Sequence, residues 1–123
     1  MIRIVLPAPM GATAVTSMRN ALLVTEEAQF LLHAGACPIS PLALVLPSGN
    51  PEHLEAVTLA LIPRSDALIL LQPFEQDSLC QAAYYAALDQ ELLVFHKTSE
   101  GYASADKAFT RKDLRKLCLE YSS

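Results

Sequence analysis

The run Asp66-Ala67-Leu68-Ile69-Leu70-Leu71 constrains the fold most. Consecutive apolar residues, bounded by an acid and by Gln72-Pro73, leave neither side of an extended segment for water. Such a run is a strand buried on both faces, which calls for a parallel sheet covered by helices on each side. The pattern recurs at residues 2–6 ahead of Pro7, at 36–40 ahead of Pro41, and at 92–95. A further strand near residues 101–105 carries only a poor signal. Helical stretches separate the strands. One runs over residues 13–34 and is closed by Gly35, a helix-ending residue. A second begins at Pro51, suited to a first turn, and runs to 61. A third spans 78–88, and a last spans 110–121, with Thr110 and Asp113 in capping-box spacing. A proline-punctuated loop is expected from Pro41 to Asn50. Strands alternating with helices predict an α/β domain with four or five parallel strands and helices on both faces.

Length and composition fit one domain spanning residues 1–123 with a sizeable core. The chain is 52% hydrophobic and only 18% charged, and the charge is uneven. Residues 1–95 hold three basic and nine acidic residues, whereas 96–123 hold six basic and four acidic ones. The last segment therefore reads as a charged C-terminal extension of an apolar core, and its Arg111, Lys112, Arg115 and Lys116 as a solvated helix face. Apolar surface left over on so small a domain predicts a homodimer or higher homo-oligomer through helix faces. The helix over 13–34 is apolar on more than one stripe, and the helix after Ser78 sets Tyr84 and Tyr85 among alanines.

Several classes are excluded. No apolar run approaches membrane-spanning length, and the first residues show no cleavable signal pattern. The acidic main body argues against nucleic acid, which needs clustered Lys and Arg. Three well-separated cysteines, Cys37, Cys80 and Cys118, point to reduced thiols and a cytoplasmic setting. Neither a dinucleotide fingerprint, a P-loop nor a G-x-S-x-G elbow occurs. His33, His53 and His96 are scattered and no cysteine pair has ligand spacing, so neither a metal nor a cofactor is implied.

Ligands of open parallel sheets bind beyond the carboxyl ends of the strands. That rule places the candidate site at Pro7, Ala8, Pro9 and Met10, at Pro41, and in the loop from Gln72 through Phe74 to Ser78. Phe74 is a candidate to stack on a planar ligand. Asp66, at the start of its strand, either bonds neighbouring backbone or orients a ligand.

In order, these landmarks resemble the nucleoside 2-deoxyribosyltransferase superfamily, including the deoxynucleotide N-hydrolases. Residues 4–10 are similar to the family's strand running into A-G-P, with Ala8 at the glycine position. Asn20 and Gly35 match an early-helix Asn and a helix-ending Gly, and Ile39-Ser40-Pro41 matches a strand that runs into Pro. Ser65-Asp66-Ala67-Leu68 echoes C-D-A, Ser78-Leu79-Cys80 echoes S-x-G, and Ala87-Leu88-Asp89-Gln90 echoes A-L-G-K. The resemblance covers residues 2–95. It implies a three-layer Rossmann-like, flavodoxin-like sandwich and a nucleotide or (deoxy)ribosyl phosphate ligand, with Asn20 and Ser78 among its contacts.

The family's nucleophile is a glutamate, and the resemblance places that position at Gln81 or at Tyr84, depending on which landmark is used for counting. Neither side chain is the ionised carboxylate that attack on an anomeric carbon requires. Ser78 and Gln81 also fit a capping box in which both serve their own helix. The leading expectation is therefore a nucleotide-binding relative without the usual nucleophile. Two alternatives stand beside it: a residual N-glycosidase using Glu75 or Asp77 as a displaced acid, and a non-catalytic interaction module.

Overall fold

The computed structural model describes residues 1–46 and 49–121; Pro47 and Ser48, within the expected loop, and the final Ser122 and Ser123 lie outside the described residues. Its central strands are the expected apolar runs. Strand β1 (Arg3–Val5) lies between β2 (Cys37–Ile39) and β3 (Ala67–Leu70), and β4 (Leu93–Lys97) follows β3. All four run parallel, with Ile4 opposite Ala67 and Ala67 opposite Leu93. Ile4, Val5, Leu68 and Ile69 are fully buried, as two-sided coverage demands.

Two short strands extend the sheet. The weak segment near residue 101 forms β5 (Tyr102–Ser104), but it pairs antiparallel with β4, and β6 (Lys107–Phe109) pairs antiparallel with β5. Among the described residues the sheet thus has six strands in the order β2-β1-β3-β4-β5-β6. The antiparallel edge follows from chain length: the few residues between β4 and β5 allow a reversal but not a helical crossover. Residues 96–109 therefore belong to the sheet.

Helix α1 (Ala14–His33) is capped by Thr13, whose hydroxyl accepts from the Thr16 backbone N–H at 3.1 Å. It ends in a Schellman turn: Ala36 N–H bonds Leu31 O, Gly35 N–H bonds Leu32 O, and Gly35 sits at φ 89°. The expected loop after Pro41 begins instead as a short helix, α2 (Pro41–Val45), because Ser40 caps the Ala43 N–H and Pro41 suits the first turn. Helix α3 (Pro51–Leu61) is capped by Asn50. Helix α4 spans Ser78–Asp89 and α5 spans Arg111–Tyr121. Both bonds of the Thr110–Asp113 capping box are made, at 2.9 and 3.1 Å.

Crossover handedness sets the layers. The chain moves from β1 to β2 in one direction, then from β2 to β3 and on to β4 in the other. Right-handed connections place α1 on one face and α3 with α4 on the opposite one. Helix α5 joins α1, since the Arg111 and Arg115 guanidinium groups lie 4.8 and 5.8 Å from the centre of the Phe30 ring. The result is a three-layer, flavodoxin-like α/β sandwich. Its topological switch point falls between β1 and β3, and a crevice opens beyond their carboxyl ends.

Candidate functional site

Two segments flank that crevice: the loop after β1 and the loop from β3 into α4. The first is held by α1. The Asn20 side-chain amide donates to Pro9 O at 3.0 Å, and the Ser17 hydroxyl donates to Gly11 O at 3.3 Å. Gly11 is required for close approach, because a Cβ there would come within 2.4 Å of Thr16 Cβ. Pro7 and Ala8 are buried in the core, so Pro9 and Met10 present the loop to the crevice. Asn20 is buried and positions this loop.

Helix α4 begins against the loop after β1. The Cys80 thiol donates to Pro7 O at 3.6 Å. Burial, with the neighbouring Asp77 carboxylate second, pushes this thiol up to about 12. The helix is capped by Asp77 and not by Ser78: one Asp77 carboxylate oxygen accepts the N–H groups of Leu79 and Cys80 at 2.9 and 3.2 Å. The Ser78–Gln81 capping box is therefore not formed. The N–H groups that would receive a phosphate already face a carboxylate of this chain.

A cavity of about 220 Å³ lies between these segments and α3, bounded by Pro9, Met10, Pro51, Leu54, Glu55, Asp77, Ser78 and Leu79. A second, of about 270 Å³, lies on the other flank of the loop and is bounded by Leu70, Glu75, Gln76, Gln81, Tyr84, Tyr85 and His96. Gln81 and Tyr84, the two positions that the resemblance pairs with the family's glutamate, thus bound one cavity. With its capping role taken by Asp77, Gln81 is free to meet a ligand. Glu75 Oε2 stands 3.7 Å from Nδ1 of His96, and the His96 ring packs at 5.5 Å against that of Tyr84. His96 bounds this cavity although no motif in the sequence marks it. A lone histidine at the end of a short strand carries no motif, and only the β3–β4 register, which sets it opposite Leu70, brings it to Glu75.

Other expected contacts lie elsewhere. Phe74 is 4% exposed and packs in the core, so the tyrosines at the cavity are Tyr84 and Tyr85. Pro41 is buried at the start of α2 and bounds neither cavity. Gln72 opens on the α1 side, into a cavity of about 130 Å³ with Glu27, Lys97 and Arg111. Asp66 sits at the amino end of β3, away from the crevice. It accepts from the Arg3 N–H at 2.8 Å, from Arg3 Nε at 3.2 Å and from the Tyr121 hydroxyl at 2.9 Å. Its place is a clasp between β1, β3 and α5. Among the described residues no three His, Cys, Asp or Glu side chains converge on a metal position. No helix among them is long and apolar enough to cross a membrane.

No family model and no curated protein matches the sequence. Among solved structures, the fold is similar to that of the 2-deoxyribosyltransferase from the psychrotolerant bacterium Bacillus psychrosaccharolyticus, described as a biocatalyst for nucleoside synthesis. The TM-score is 0.56 at 20% identity, over 80% of this chain and 75% of that one. The likeness gives this chain a 2-deoxyribosyltransferase-like fold.

Proposed function

We propose that this chain binds an uncharged nucleoside at the carboxyl edge of its parallel strands, and that it lacks the nucleophile of the deoxyribosyltransferases. One observation carries the preference for a nucleoside over a nucleotide. The two crevice cavities are bounded by Glu55, Glu75 and Asp77, without a lysine or arginine. A phosphate would meet carboxylates at both, and the α4 N–H groups that could offset this are engaged by Asp77. Each cavity is smaller than the roughly 300–1,000 Å³ of drug-sized sites, which suits a sugar or a base. The absent nucleophile is supported by Gln81 and Tyr84 facing the cavity of about 270 Å³.

Titration calorimetry with 2′-deoxyadenosine and its 5′-monophosphate tests the reading. The nucleoside is expected to bind, and the monophosphate to bind at least tenfold more weakly. Equal or tighter binding of the monophosphate contradicts the preference, and no heat from the nucleoside at millimolar concentration contradicts the reading itself.

A second reading, a residual N-glycosidase, is favoured by the Glu75–His96 approach at 3.7 Å. Glu75 is its acid, because the Asp77 carboxylate is held by its helix. For assembly we propose a homo-oligomer. The exposed apolar stripe of Val15, Met18 and Leu22 on α1 supports it, as does exposed Tyr85 on α4. The thiols of Cys37 and Cys80, which form no disulfide, support a cytoplasmic setting.

A further inference from the structure

We propose that His96 is a general base and Glu75 its positioning residue, so that a nucleoside whose sugar sits in the cavity of about 270 Å³ beside Gln81 and Tyr84 is hydrolysed by direct attack of water at C1′. The inference rests on the nucleoside reading above and assigns to that site a route that needs neither Gln81 nor Tyr84 as nucleophile. The sheet fixes His96: its backbone pairs with Leu70 on one side and Ala103 on the other. Packing against Tyr84, with ring planes inclined by 56°, holds the imidazole plane. Nδ1 faces Glu75 Oε2 at 3.7 Å, a looser approach of the kind apo sites show before substrate tightens them. A carboxylate facing Nδ1 favours the proton there and leaves Nε2 as the acceptor.

The step balances with water alone. Nε2 takes a proton from water as the water oxygen bonds to C1′. The C1′–N bond breaks, and its electron pair stays on the base nitrogen, which takes a proton from solvent. The imidazolium then releases its proton to solvent. Free base and free sugar result. Because oxygen enters on the face opposite the departing base, the product is inverted at C1′. Gln81 supplies a neutral hydrogen-bonding group to the same cavity and does not compete for C1′.

The test incubates the full chain with 2′-deoxyadenosine, measures adenine release, and repeats the reaction with added methanol, which can replace water at C1′ and fix the anomer of the product. Adenine release with the α-methyl glycoside is expected. His96→Asn should reduce kcat at least 100-fold, as removal of a general base does. Glu75→Gln should reduce kcat about tenfold with KM unchanged, the size of effect seen when a group orienting a histidine is lost. Glu75→Asp should restore part of that loss. Unchanged release by His96→Asn, or the β-methyl glycoside, overturns the proposal. Binding of 2′-deoxyadenosine by calorimetry without adenine release also overturns it, and leaves the nucleoside-binding reading standing. Neither heat nor adenine overturns both.

Discussion

The Cys80 thiol donates to the carbonyl oxygen of Pro7 at 3.6 Å, tying the first turn of α4 to the loop after β1. Burial raises the thiol to about 12, with the Asp77 carboxylate adding to the shift. At pH 8 it is protonated and shielded. Iodoacetamide should therefore spare Cys80 in the folded protein and modify it once the chain is unfolded, while half-buried Cys37 reacts first. Peptide mass spectrometry reads the order, and early Cys80 labelling would contradict it.

Asp77 holds two N–H groups at the start of α4. Asp77→Ala should cost about 1 kcal/mol, the usual loss for removal of a cap, whereas Asp77→Asn should retain most of the stability. Urea unfolding measures both. Asn at this position also removes a negative charge beside the crevice, so the Asp77→Asn protein should discriminate less between 2′-deoxyadenosine and its monophosphate. An unchanged ratio of affinities would show that Asp77 does not set the preference.

Glu27, 3% exposed on α1, accepts from the Tyr102 hydroxyl and from Lys97 Nζ, the latter at 2.7 Å. This cluster ties α1 to β4 and β5. Burial, with the hydrogen bond to Glu27 second, pushes the Tyr102 phenol above its ordinary range. Glu27→Ala leaves a buried hydroxyl without its acceptor and a half-buried ammonium without its counter-charge. It should cost about 3 kcal/mol, and Glu27→Gln less, since an amide oxygen still accepts. Thermal unfolding checks the order.

Asp66 contributes to the acid limb of stability. Burial alone would raise this carboxyl, but hydrogen bonds from Arg3 and Tyr121 outweigh burial and hold it below its ordinary 3.8. A lowered folded-state value means that the unfolded chain binds its proton first as pH falls. The stabilisation is therefore present above about pH 4 and lost below it. Asp66→Asn should flatten the dependence of the urea midpoint on pH between 6 and 3. An equally steep dependence in that variant would assign the limb to other carboxyls.

What was legible in the sequence were features carried by neighbours along the chain. The apolar run into Gln72-Pro73 specified β3, Pro51 specified the start of α3, and Gly35 the end of α1. The boundary of α4 was legible, but not its cap. Asp77 and Ser78 are both good capping residues, and only the folded backbone shows which one bonds the first turn. Strands β5 and β6 are three residues each and hold through pairings such as Tyr102 with Phe109, so their local pattern is slight. The candidate region was read from the rule that ligands of parallel sheets lie beyond the strands' carboxyl ends. Its chemistry was not legible: Glu75 and His96 meet through the β3–β4 register, and Phe74 turns inward while Tyr84 faces the cavity.

The central claim, a nucleoside site at the carboxyl edge, is tested most directly by adding 2′-deoxyadenosine to the isotope-labelled protein and following its backbone amide resonances. Shifts concentrated at Met10, Leu79, Gln81, Tyr84 and His96, with Arg3, Asp66 and Tyr121 at the opposite end unmoved, are the predicted result. Absence of shifts at millimolar nucleoside, or shifts centred on the Asp66 end of the sheet, would contradict it.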